Sequence, residues 1–354
     1  MFSFIKKNFA IIFIILFIII FSVFNKQDFI KNYEVKNNLE NKKISLKQNL
    51  ENFNLDNISD IKNLKFFYTP YKWLLDKIIY KINNSKTRVY VEVYMLTEKR
   101  IKSALVKAYN RWIDVKIVLE KSPYKATNIN NKHFNFLRDS WIDIVWSNPD
   151  LYSLNHSKFM ILDDEVMISS GNFTYSTFVF NRDLFLFTDD KKVLDDFLKI
   201  FIWDFSQRIN LVYSDNLVLS PDYSRFKFRK MFEKANESID MYFQYLQDEK
   251  LEKLLIKKAK SWIEIRLIVS ENFWNDDKNK IKYLEKNNIK IKPLFKTKMH
   301  SKSILIDWKY LFIWSINFSS YSMDKNRETG LIFTNKNLIN DFNKLFEKDF
   351  AKKL

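Results

Sequence analysis

Short apolar runs and helical stretches alternate along most of the chain. The runs are about four to eight residues long and rich in valine and isoleucine, which is typical of strands buried on both faces of a sheet. The stretches between them place apolar residues at helical spacing. This alternation predicts β-α-β units and an α/β fold, with each sheet flanked by helices. The predicted strands contain residues 89–96, 115–119, 142–146, 158–162, 239–246, 265–269, 289–295 and 303–306.

The order of these elements occurs twice. Residues 89–163 run through strand, helix, strand, helix, strand and a final strand that carries a motif, and residues 239–307 repeat that order. The duplication predicts two halves related by a pseudo-twofold axis, each with a mixed sheet flanked by helices. We assign residues 64–213 to the first half and residues 214–354 to the second.

A different pattern covers the N-terminus. After Lys6 and Lys7, residues 9–24 are apolar apart from Ser22. A helix over this run would be about 24 Å long, slightly shorter than the hydrocarbon core of a bilayer at about 30 Å. We interpret residues 1–25 as an uncleaved transmembrane anchor, because the small residues that precede a signal-peptide cleavage site are missing.

The polar residues 26–63, which are rich in Asn, Lys and Glu, then form a stalk or linker. Lysines flank both ends of the apolar run, so charge gives little information about its orientation. We expect a single-pass membrane protein whose catalytic domain lies outside the cytoplasm.

Composition narrows the class of partner and of chemistry. The formal net charge of +17 favours an anionic partner, such as phosphate, nucleic acid or lipid headgroups. The chain is also crowded with Lys, Asn, Ile and Phe, so a general compositional bias is an alternative source of part of this charge. The lack of cysteine excludes a disulfide scaffold, a thiol nucleophile and a cysteine-ligated metal.

Two of the three histidines open the same pattern, H-x-K-x4-D, once in each half. Each copy is followed by Ser-x-Asn and, nine residues after that asparagine, by Asn-Arg-acid. One copy would be a modest signal, whereas two copies in corresponding places of a duplicated chain are a strong one. The residues are His156, Lys158, Asp163, Ser170, Asn172, Asn181, Arg182 and Asp183, and then His300, Lys302, Asp307, Ser315, Asn317, Asn326, Arg327 and Glu328.

With these paired motifs, the chain resembles the phospholipase D superfamily over about residues 64–350. The resemblance implies a phosphodiesterase without metal or cofactor, in which one histidine attacks phosphorus and the other protonates the leaving oxygen. By analogy His156 is the nucleophile and His300 the general acid, and the symmetry of the motifs leaves the reverse assignment open. Because both motifs lie in one chain, a monomer is sufficient for one active site.

The chemistry of the motif residues agrees with this interpretation. A histidine and a lysine two positions apart on a strand point to the same face, so each motif presents both together. A histidine near its ordinary pKa of about 6.5 can attack or donate a proton near neutral pH. Lys158 and Lys302 are predicted to neutralise the nonbridging phosphate oxygens. Further predicted hydrogen-bond donors to those oxygens are Ser170, Asn172, Ser315 and Asn317.

The motif aspartates receive a different interpretation. They follow their histidines by an odd number of positions, so on a regular strand Asp163 and Asp307 face away from the imidazoles. We interpret both as structural residues that hold the following turn. Asp183 and Glu328, which arrive from a neighbouring segment, are the carboxylates expected to orient the imidazoles.

Tryptophan occurs where the backbone favours glycine. The chain has only two glycines, although average usage of about 7% would give roughly 25. Large core aromatics are one explanation. Our hypothesis is instead that the gene reads UGA as glycine and has been translated with UGA as tryptophan, in which case the true site is roomier near position 314. The five positions are Trp112, Trp141 and Trp262 after predicted helices, Trp308 between two strands, and Trp314 before the Ser-x-Asn pattern.

Three functions are open at this point, and we favour the first. It is a membrane-anchored phospholipase D-like enzyme, similar to cardiolipin synthases, that hydrolyses or transfers the phosphatidyl group of a membrane phospholipid. The chain departs from a typical cardiolipin synthase in showing one hydrophobic segment rather than two. The second function is an anchored nonspecific nuclease, since nucleic-acid backbones also attract a basic protein. The third is an inactive protein that keeps the fold for binding, against which both complete motifs argue.

Overall fold

The computed structural model describes residues 40–209 and 211–351. The chain divides into two compact units, residues 1–52 and residues 53–354. In the first unit, residues 40–51 are helical and are labelled α1.

The predicted anchor at residues 1–25 lies outside the described residues, as do residues 26–39 of the predicted stalk. Among the helices that the structure does describe, none combines the length and the apolar character needed to cross a bilayer.

The second unit contains two halves built from the same succession of elements, preceded by a short 3-10 helix at Leu55–Asn57. The first half consists of β1 (Lys65–Tyr68), α2 (Lys72–Asn84), β2 (Arg88–Val93), α3 (Lys99–Tyr109), β3 (Asp114–Leu119), α4 (Asn131–Asp139), β4 (Asp143–Trp146), β5 (Lys158–Leu162), β6 (Glu165–Ser169), α5 (Tyr175–Val179), β7 (Asn181–Arg182), β8 (Leu184–Thr188) and α6 (Lys191–Phe205). The second half consists of β9 (Leu217–Ser220), α7 (Ser224–Lys234), β10 (Ser238–Phe243), α8 (Glu249–Lys260), β11 (Glu264–Val269), α9 (Glu271–Asp276), α10 (Lys278–Lys286), β12 (Ile289–Pro293), β13 (Lys298–Met299), β14 (Ser303–Ile306), β15 (Tyr310–Trp314), α11 (Ser320–Asp324), β16 (Glu328–Phe333) and α12 (Lys336–Phe350).

Each half forms a seven-stranded sheet, and the two sheets match strand for strand. The first has the order β1-β8-β6-β5-β2-β3-β4, and the second has the order β9-β16-β15-β14-β10-β11-β12. In both, the last three strands are parallel and the remaining pairs are antiparallel. The short strands β7 and β13 pair in parallel and link the two halves. The predicted α/β class, with two mixed sheets flanked by helices, is confirmed.

The apolar runs form these strands because helices cover the sheets and exclude water from them. Val91 and Met160 belong to one apolar cluster, and Met241 and Ile304 occupy the corresponding places in a second cluster. Burial of one side chain of this size contributes about 1.5–3 kcal/mol. The duplication of the sequence is therefore a duplication of the core.

The structured unit begins earlier than the predicted boundary at residue 63. Phe53, Leu55 and Ile58 are buried in the apolar cluster of the second half. Residues 53–63 are thus part of the second compact unit and not of a linker.

Asp163 and Asp307 occupy matching hairpins, between β5 and β6 and between β14 and β15. The Asp163 carboxylate accepts hydrogen bonds of 2.8–3.1 Å from the backbone N–H groups of residues 86–88. The Asp307 carboxylate accepts bonds of 2.8–3.2 Å from the backbone of residues 236–238. Both aspartates therefore tie a hairpin to the start of the adjacent strand, at the ends of β5 and β14 that lie away from the motif histidines.

Four of the five unusual tryptophans have a left-handed backbone conformation. The angle φ is 66° at Trp112, 65° at Trp141, 67° at Trp262 and 53° at Trp308. The first three end helices in the Schellman arrangement. At α3, for example, the Trp112 N–H donates to the Tyr109 carbonyl at 2.8 Å and the next N–H donates to the Ala108 carbonyl at 3.3 Å. Glycine is the residue that adopts this conformation without strain.

The exposure of these side chains argues against their being ordinary core aromatics. Trp112, Trp141 and Trp262 are 96%, 80% and 93% exposed. Trp308 and Asp307 form a two-residue hairpin turn in which both φ angles are positive. That turn type prefers Asp-Gly.

Trp314 differs from the other four because it is fully buried at the end of β15. Its ring lies 4.8, 5.2 and 5.9 Å from the rings of Phe228, Phe312 and Phe318. A Cβ atom added to Gly330, which faces it on β16, would lie 2.1 Å from the Trp314 Cβ. The tryptophan therefore leaves no room for any residue but glycine on the opposite strand.

Replacing the exposed left-handed tryptophans by glycine is expected to stabilise the protein. Trp112→Gly and Trp262→Gly should each raise the free energy of unfolding by about 1 kcal/mol, since they relieve the strain of a non-glycine residue with positive φ. Chemical denaturation of the full chain measures this. Trp203→Gly, within helix α6, is the control and should lower stability. A lower free energy of unfolding for Trp112→Gly and Trp262→Gly would show that these tryptophans do not strain the backbone.

The coding DNA gives an independent test of the same hypothesis. We expect TGA codons at Trp112, Trp262 and Trp308, and TGG at Trp203, whose backbone is helical. Sequencing the gene decides the question, and TGG codons at the first three positions would end the hypothesis.

Candidate active site

The two H-x-K motifs lie at the same end of equivalent strands. His156 precedes β5 and His300 precedes β14, and each motif lysine lies two residues further on. His156 keeps 10% of its side chain exposed and His300 keeps 13%. Both imidazoles are therefore deeply set and still reachable from solvent.

Backbone hydrogen bonds tie each motif histidine to the opposite half of the unit. The His156 N–H donates to the Arg327 carbonyl at 2.8 Å, and the His300 N–H donates to the Arg182 carbonyl at 3.1 Å. The second contact extends the β7–β13 pairing, and the first has an equivalent bridge between Asn155 and Arg327. At the site, backbone segments of each half therefore pair with backbone segments of the other.

The side chains of the motif histidines also contact the opposite half. His156 Nδ1 lies 2.8 Å from Glu328 Oε2, and His300 Nδ1 lies 2.8 Å from Asp183 Oδ1. These are the two carboxylates that the sequence analysis expected beside the imidazoles. The structure adds that each carboxylate contacts the histidine of the opposite half. Since both carboxylates are fully buried, each holds the orientation of the imidazole that it contacts.

The motif lysines are buried beside their histidines. Lys158 Nζ and Lys302 Nζ each donate to the carbonyl of the histidine in the same motif at 2.6 Å. Burial lowers the pKa of Lys158 well below its ordinary value and lowers the pKa of Lys302 to about 8. An anion bound near both lysines would raise both pKa values, because its charge would replace the missing solvation.

The charged groups that act on each histidine include residues of the other motif. Burial lowers the pKa of His156 well below its ordinary value, and the charges of Lys158, Lys302 and His300 lower it further. Burial also lowers the pKa of His300, while the Asp183 charge opposes that shift. Residues of both motifs are therefore close enough to act on one another's protonation.

The pKa values of the two carboxylates are shifted in opposite directions. Burial raises the pKa of Glu328 to about 8, in spite of the Lys158 charge. Burial would also raise the pKa of Asp183, but the His300 charge, its hydrogen bond and Lys302 hold it below its ordinary value. The His300–Asp183 pair is therefore the more polarised of the two.

The serines differ from the expectation that they donate to phosphate. The Ser170 hydroxyl donates to Asp183 Oδ1 at 2.8 Å and accepts from the Leu184 N–H at 2.9 Å. The Ser315 hydroxyl is engaged by the backbone N–H and carbonyl of Thr329, at 3.1 and 3.3 Å. These serines support the strand that carries each carboxylate.

The asparagines of the Ser-x-Asn patterns keep polar atoms uncommitted. Within the described part of the chain, the side-chain oxygens of Asn172 and Asn317 are buried without a hydrogen-bond partner. The Asn172 amide nitrogen contacts only the Met95 sulfur, at 3.6 Å, among the hydrogen bonds described. An amide left in this state at matching positions of both halves is available to a ligand.

Tyr94 belongs to the site and the sequence analysis did not identify it. Its ring meets the His156 ring edge to face at a centroid distance of 4.6 Å, and Lys158 Nζ lies 5.1 Å from its centre. Tyr94 follows β2 directly, whereas Gln244 follows the equivalent strand β10. Its position after a strand that pairs with the motif strand was the available signal.

The arginines of the Asn-Arg-acid motifs form contacts that the sequence analysis did not foresee. Arg182 binds both carboxylate oxygens of Asp349 at 2.7 and 3.0 Å. Arg327 binds both oxygens of Asp204 at 2.7 and 3.1 Å. Asp349 and Asp204 are the penultimate residues of helices α12 and α6, so each arginine also reaches into the opposite half. Such bidentate pairs fix geometry as well as charge.

A family model described as "Cardiolipin synthase, PLD-like domain" matches residues 78–205 and 228–350. The two matched ranges cover most of the second unit, and each contains one complete motif. The chain belongs to the phospholipase D superfamily. The resemblance seen in the motifs, and the expectation of an enzyme of this superfamily, are thus confirmed.

Individual relatives are more distant. The chain is 25% identical over 172 residues to a phospholipase D from Rickettsia prowazekii (strain Madrid E). This alignment covers 47% of this chain and 80% of the relative. It is 23% identical over 141 residues to a phospholipase D from Rickettsia typhi (strain ATCC VR-144 / Wilmington), which covers 39% of this chain and 66% of that protein.

Two solved structures share the fold across both halves. A phosphatidylserine synthase from Haemophilus influenzae Rd KW20 aligns with a TM-score of 0.67 at 13% identity, over 88% of this chain and 90% of that one. A polyphosphate kinase from Porphyromonas gingivalis aligns with a TM-score of 0.65 at 17% identity, over 82% of this chain and 51% of the kinase. These likenesses show that the chain shares the fold of these two proteins across both halves.

The contact between Asp183 and His300 predicts a measurable shift. Asp183→Asn removes the charge that opposes the lowering of the His300 pKa, so that pKa should fall by about one to two units. NMR titration resolves it, because the chain has only three histidines.

Asp163→Asn is the matched control, since that carboxylate contacts only the turn near residues 86–88 in the described structure. It should leave the His300 titration unchanged. Equal shifts in the two variants would show that Asp183 does not set the protonation of His300.

Proposed function

We propose that the protein is a membrane-associated phosphodiesterase that hydrolyses or transfers the phosphatidyl group of phospholipids through a covalent phosphohistidine. One observation carries this proposal. The imidazoles of His156 and His300 are each partly accessible to solvent, and each contacts a buried carboxylate of the other half. One ring can attack phosphorus while the other protonates the leaving oxygen, because the Asp183 charge opposes the lowering of the pKa of His300 and burial favours the neutral form of Glu328 beside His156.

In the first step, His156 Nε2 attacks phosphorus and the bond from phosphorus to the leaving oxygen breaks. His300 donates its proton to that oxygen, and the leaving alcohol departs neutral. Glu328 accepts the hydrogen bond from His156 Nδ1–H, which favours the attacking tautomer. Lys158 and Lys302 supply the positive charge that balances the nonbridging oxygens, which is the role a metal ion has elsewhere.

In the second step, an oxygen of water or of an alcohol attacks the phosphohistidine. His300, now neutral, takes the proton of the attacking group, and the phosphorus–nitrogen bond breaks to restore His156. Water gives hydrolysis and an alcohol gives transfer. Dividing one displacement into two in this way lowers each barrier.

The two carboxylates support the assignment of roles. Asp183 is held in the charged form and favours a protonated His300, as a general acid requires. His156 has no equally polarised partner, because burial favours the neutral form of Glu328. His156 is therefore the more readily neutral imidazole, as a nucleophile requires. Loss of one proton from the His156–Glu328 pair must precede attack, so the rate should rise with pH on the acid side.

The choice of phospholipid as substrate rests on three observations. The net charge of +17 suits anionic headgroups, and residues 9–24 are apolar enough to associate with a bilayer. The Rickettsia relatives are named phospholipase D, and the Haemophilus neighbour is named phosphatidylserine synthase. The same charge and chemistry suit a nonspecific nuclease, which is the second candidate.

Trapping the intermediate tests the mechanism. With a phosphodiester whose leaving group is p-nitrophenol, the departing oxygen needs no proton. His300→Asn should therefore still form the phosphoenzyme but hydrolyse it slowly, giving a burst of one p-nitrophenol per chain. His156→Asn should give no burst and lose at least about a thousandfold in rate, as expected for loss of a nucleophile. A burst from His156→Asn and none from His300→Asn would reverse the assignment.

Substrate comparison tests the rest of the proposal. Vesicle phospholipid should be cleaved by the full chain, and single- and double-stranded DNA should not, with a chelator leaving the rate unchanged. Cleavage of DNA alone would favour the nuclease. Absence of any phosphoenzyme with both substrates would favour an inactive binding protein.

A further inference from the structure

Exposed aromatic side chains occur on two segments that hydrogen-bond to the backbone on the His300 side of the site. Tyr71, Trp73, Tyr175 and Phe180 are each between 41% and 60% exposed, and together we call them the aromatic rim. The rings of Tyr71 and Trp73 lie 5.2 Å apart, and those of Tyr175 and Phe180 lie 5.8 Å apart. Apolar rings in water on this scale point to a surface that is covered in use.

Short backbone links connect the aromatic rim to the His300 side of the site. The Thr69 N–H donates to the Asp183 carbonyl at 2.9 Å, just before the first two rim residues. The Phe180 carbonyl accepts from the Lys298 N–H at 3.0 Å, two residues before His300. Helices α2 and α5, which each contribute one rim residue, also pack against each other.

In the part of the second half that the structure describes, no such rim occurs, although the backbone is equivalent. Counted from Asn172 and Asn317, the positions of Tyr175 and Phe180 are occupied by Ser320 and Lys325, which are both exposed. Tyr71 precedes helix α2 as its cap and Tyr223 precedes helix α7 in the same way, but Tyr223 is buried. The fold therefore does not require exposed aromatic side chains at these positions.

Exposed lysines accompany the aromatic rim on the same side. Lys296 and Lys298 are exposed, and they lead directly into His300. At the same distances before His156 the chain has Tyr152 and Leu154. Aromatic rings beside lysines form the composition of protein surfaces that lie at the headgroup level of anionic membranes.

We propose that the aromatic rim, with Lys296 and Lys298, docks on the surface of an anionic phospholipid bilayer and brings the His300 side of the site against it. This deepens the proposed function and rests on it for the substrate. Rings at this position would enter the interface while the lysines meet phosphate groups. The bilayer is favoured over nucleic acid because the four rings pair edge to face with each other, which leaves them in two clusters and not in a row of free stacking faces.

Site-specific labelling tests docking without relying on catalysis. The chain has no cysteine, so Tyr175→Cys in the full chain can carry a single environment-sensitive fluorophore. In vesicles of phosphatidylcholine and phosphatidylglycerol with brominated acyl chains, this label should be quenched. A label at Tyr80→Cys, which is 68% exposed further along α2, is the control and should stay unquenched. Equal quenching at both sites, or none at position 175, would overturn the proposal.

A second test exchanges residues between the halves. The double substitution Tyr175→Ser with Phe180→Lys installs what the second half carries at exposed positions. The ratio of the rate on vesicle phosphatidylglycerol to the rate on soluble short-chain phosphatidylglycerol should fall about tenfold. Tyr321→Ser, at an exposed tyrosine of the second half, should leave that ratio unchanged. An unchanged ratio in the double variant would contradict docking by the rim.

The outcomes separate the two proposals. Quenching at position 175 without cleavage of any phospholipid would leave docking standing and refute the proposed function. Cleavage of vesicle phospholipid without quenching would do the reverse. A label that responds to single-stranded DNA and not to vesicles would overturn docking on a bilayer in favour of a nucleic-acid surface.

Discussion

The whole site depends on hydrogen bonds that the two halves exchange. His156 is bound to the Arg327 backbone and the Glu328 side chain, and His300 is bound to the Arg182 backbone and to Asp183. Neither half can orient its own imidazole, so the halves must dock before any catalytic geometry exists. Docking and assembly of the site are therefore one event.

The arginine contacts explain how that docking is held in register. Arg182 and Arg327 lie directly before the carboxylates that meet the imidazoles, and they bind Asp349 and Asp204 at the ends of helices from the opposite half. Removing one partner of a buried ion pair costs about 3–5 kcal/mol, since the other charge is left uncompensated. A slip between the halves would break both pairs at once. The motif Asn-Arg-acid thus places a contact with the opposite half and the carboxylate that meets an imidazole on adjacent residues.

The sequence predicted what periodicity and repetition encode, and missed what only the fold brings together. Alternating apolar runs predicted both sheets, and the odd offset of Asp163 and Asp307 placed them away from the imidazoles, where they bind the turns. Left-handed backbone at Trp112 and Trp262 followed from helix-end chemistry. The exchange of Asp183 and Glu328 between halves could not be predicted, because spacing along one chain does not say which copy of a repeat a residue will meet. The same holds for Tyr94 and for the role of Ser170, whose hydroxyl is used by Asp183.

Duplication gives two equal halves, and the chemistry needs two unequal ones. The backbone provides equivalent positions, and single residues at those positions make the difference. Asp183 faces one imidazole and the longer Glu328 faces the other, with opposite effects of their surroundings on pKa. Tyr94 packs against His156, whereas Gln244 follows the equivalent strand. Tyr175 and Phe180 in the first half correspond to Ser320 and Lys325 in the second. None of these differences disturbs the shared sheets, so a symmetric fold can hold two imidazoles in unequal surroundings, as the proposed mechanism requires.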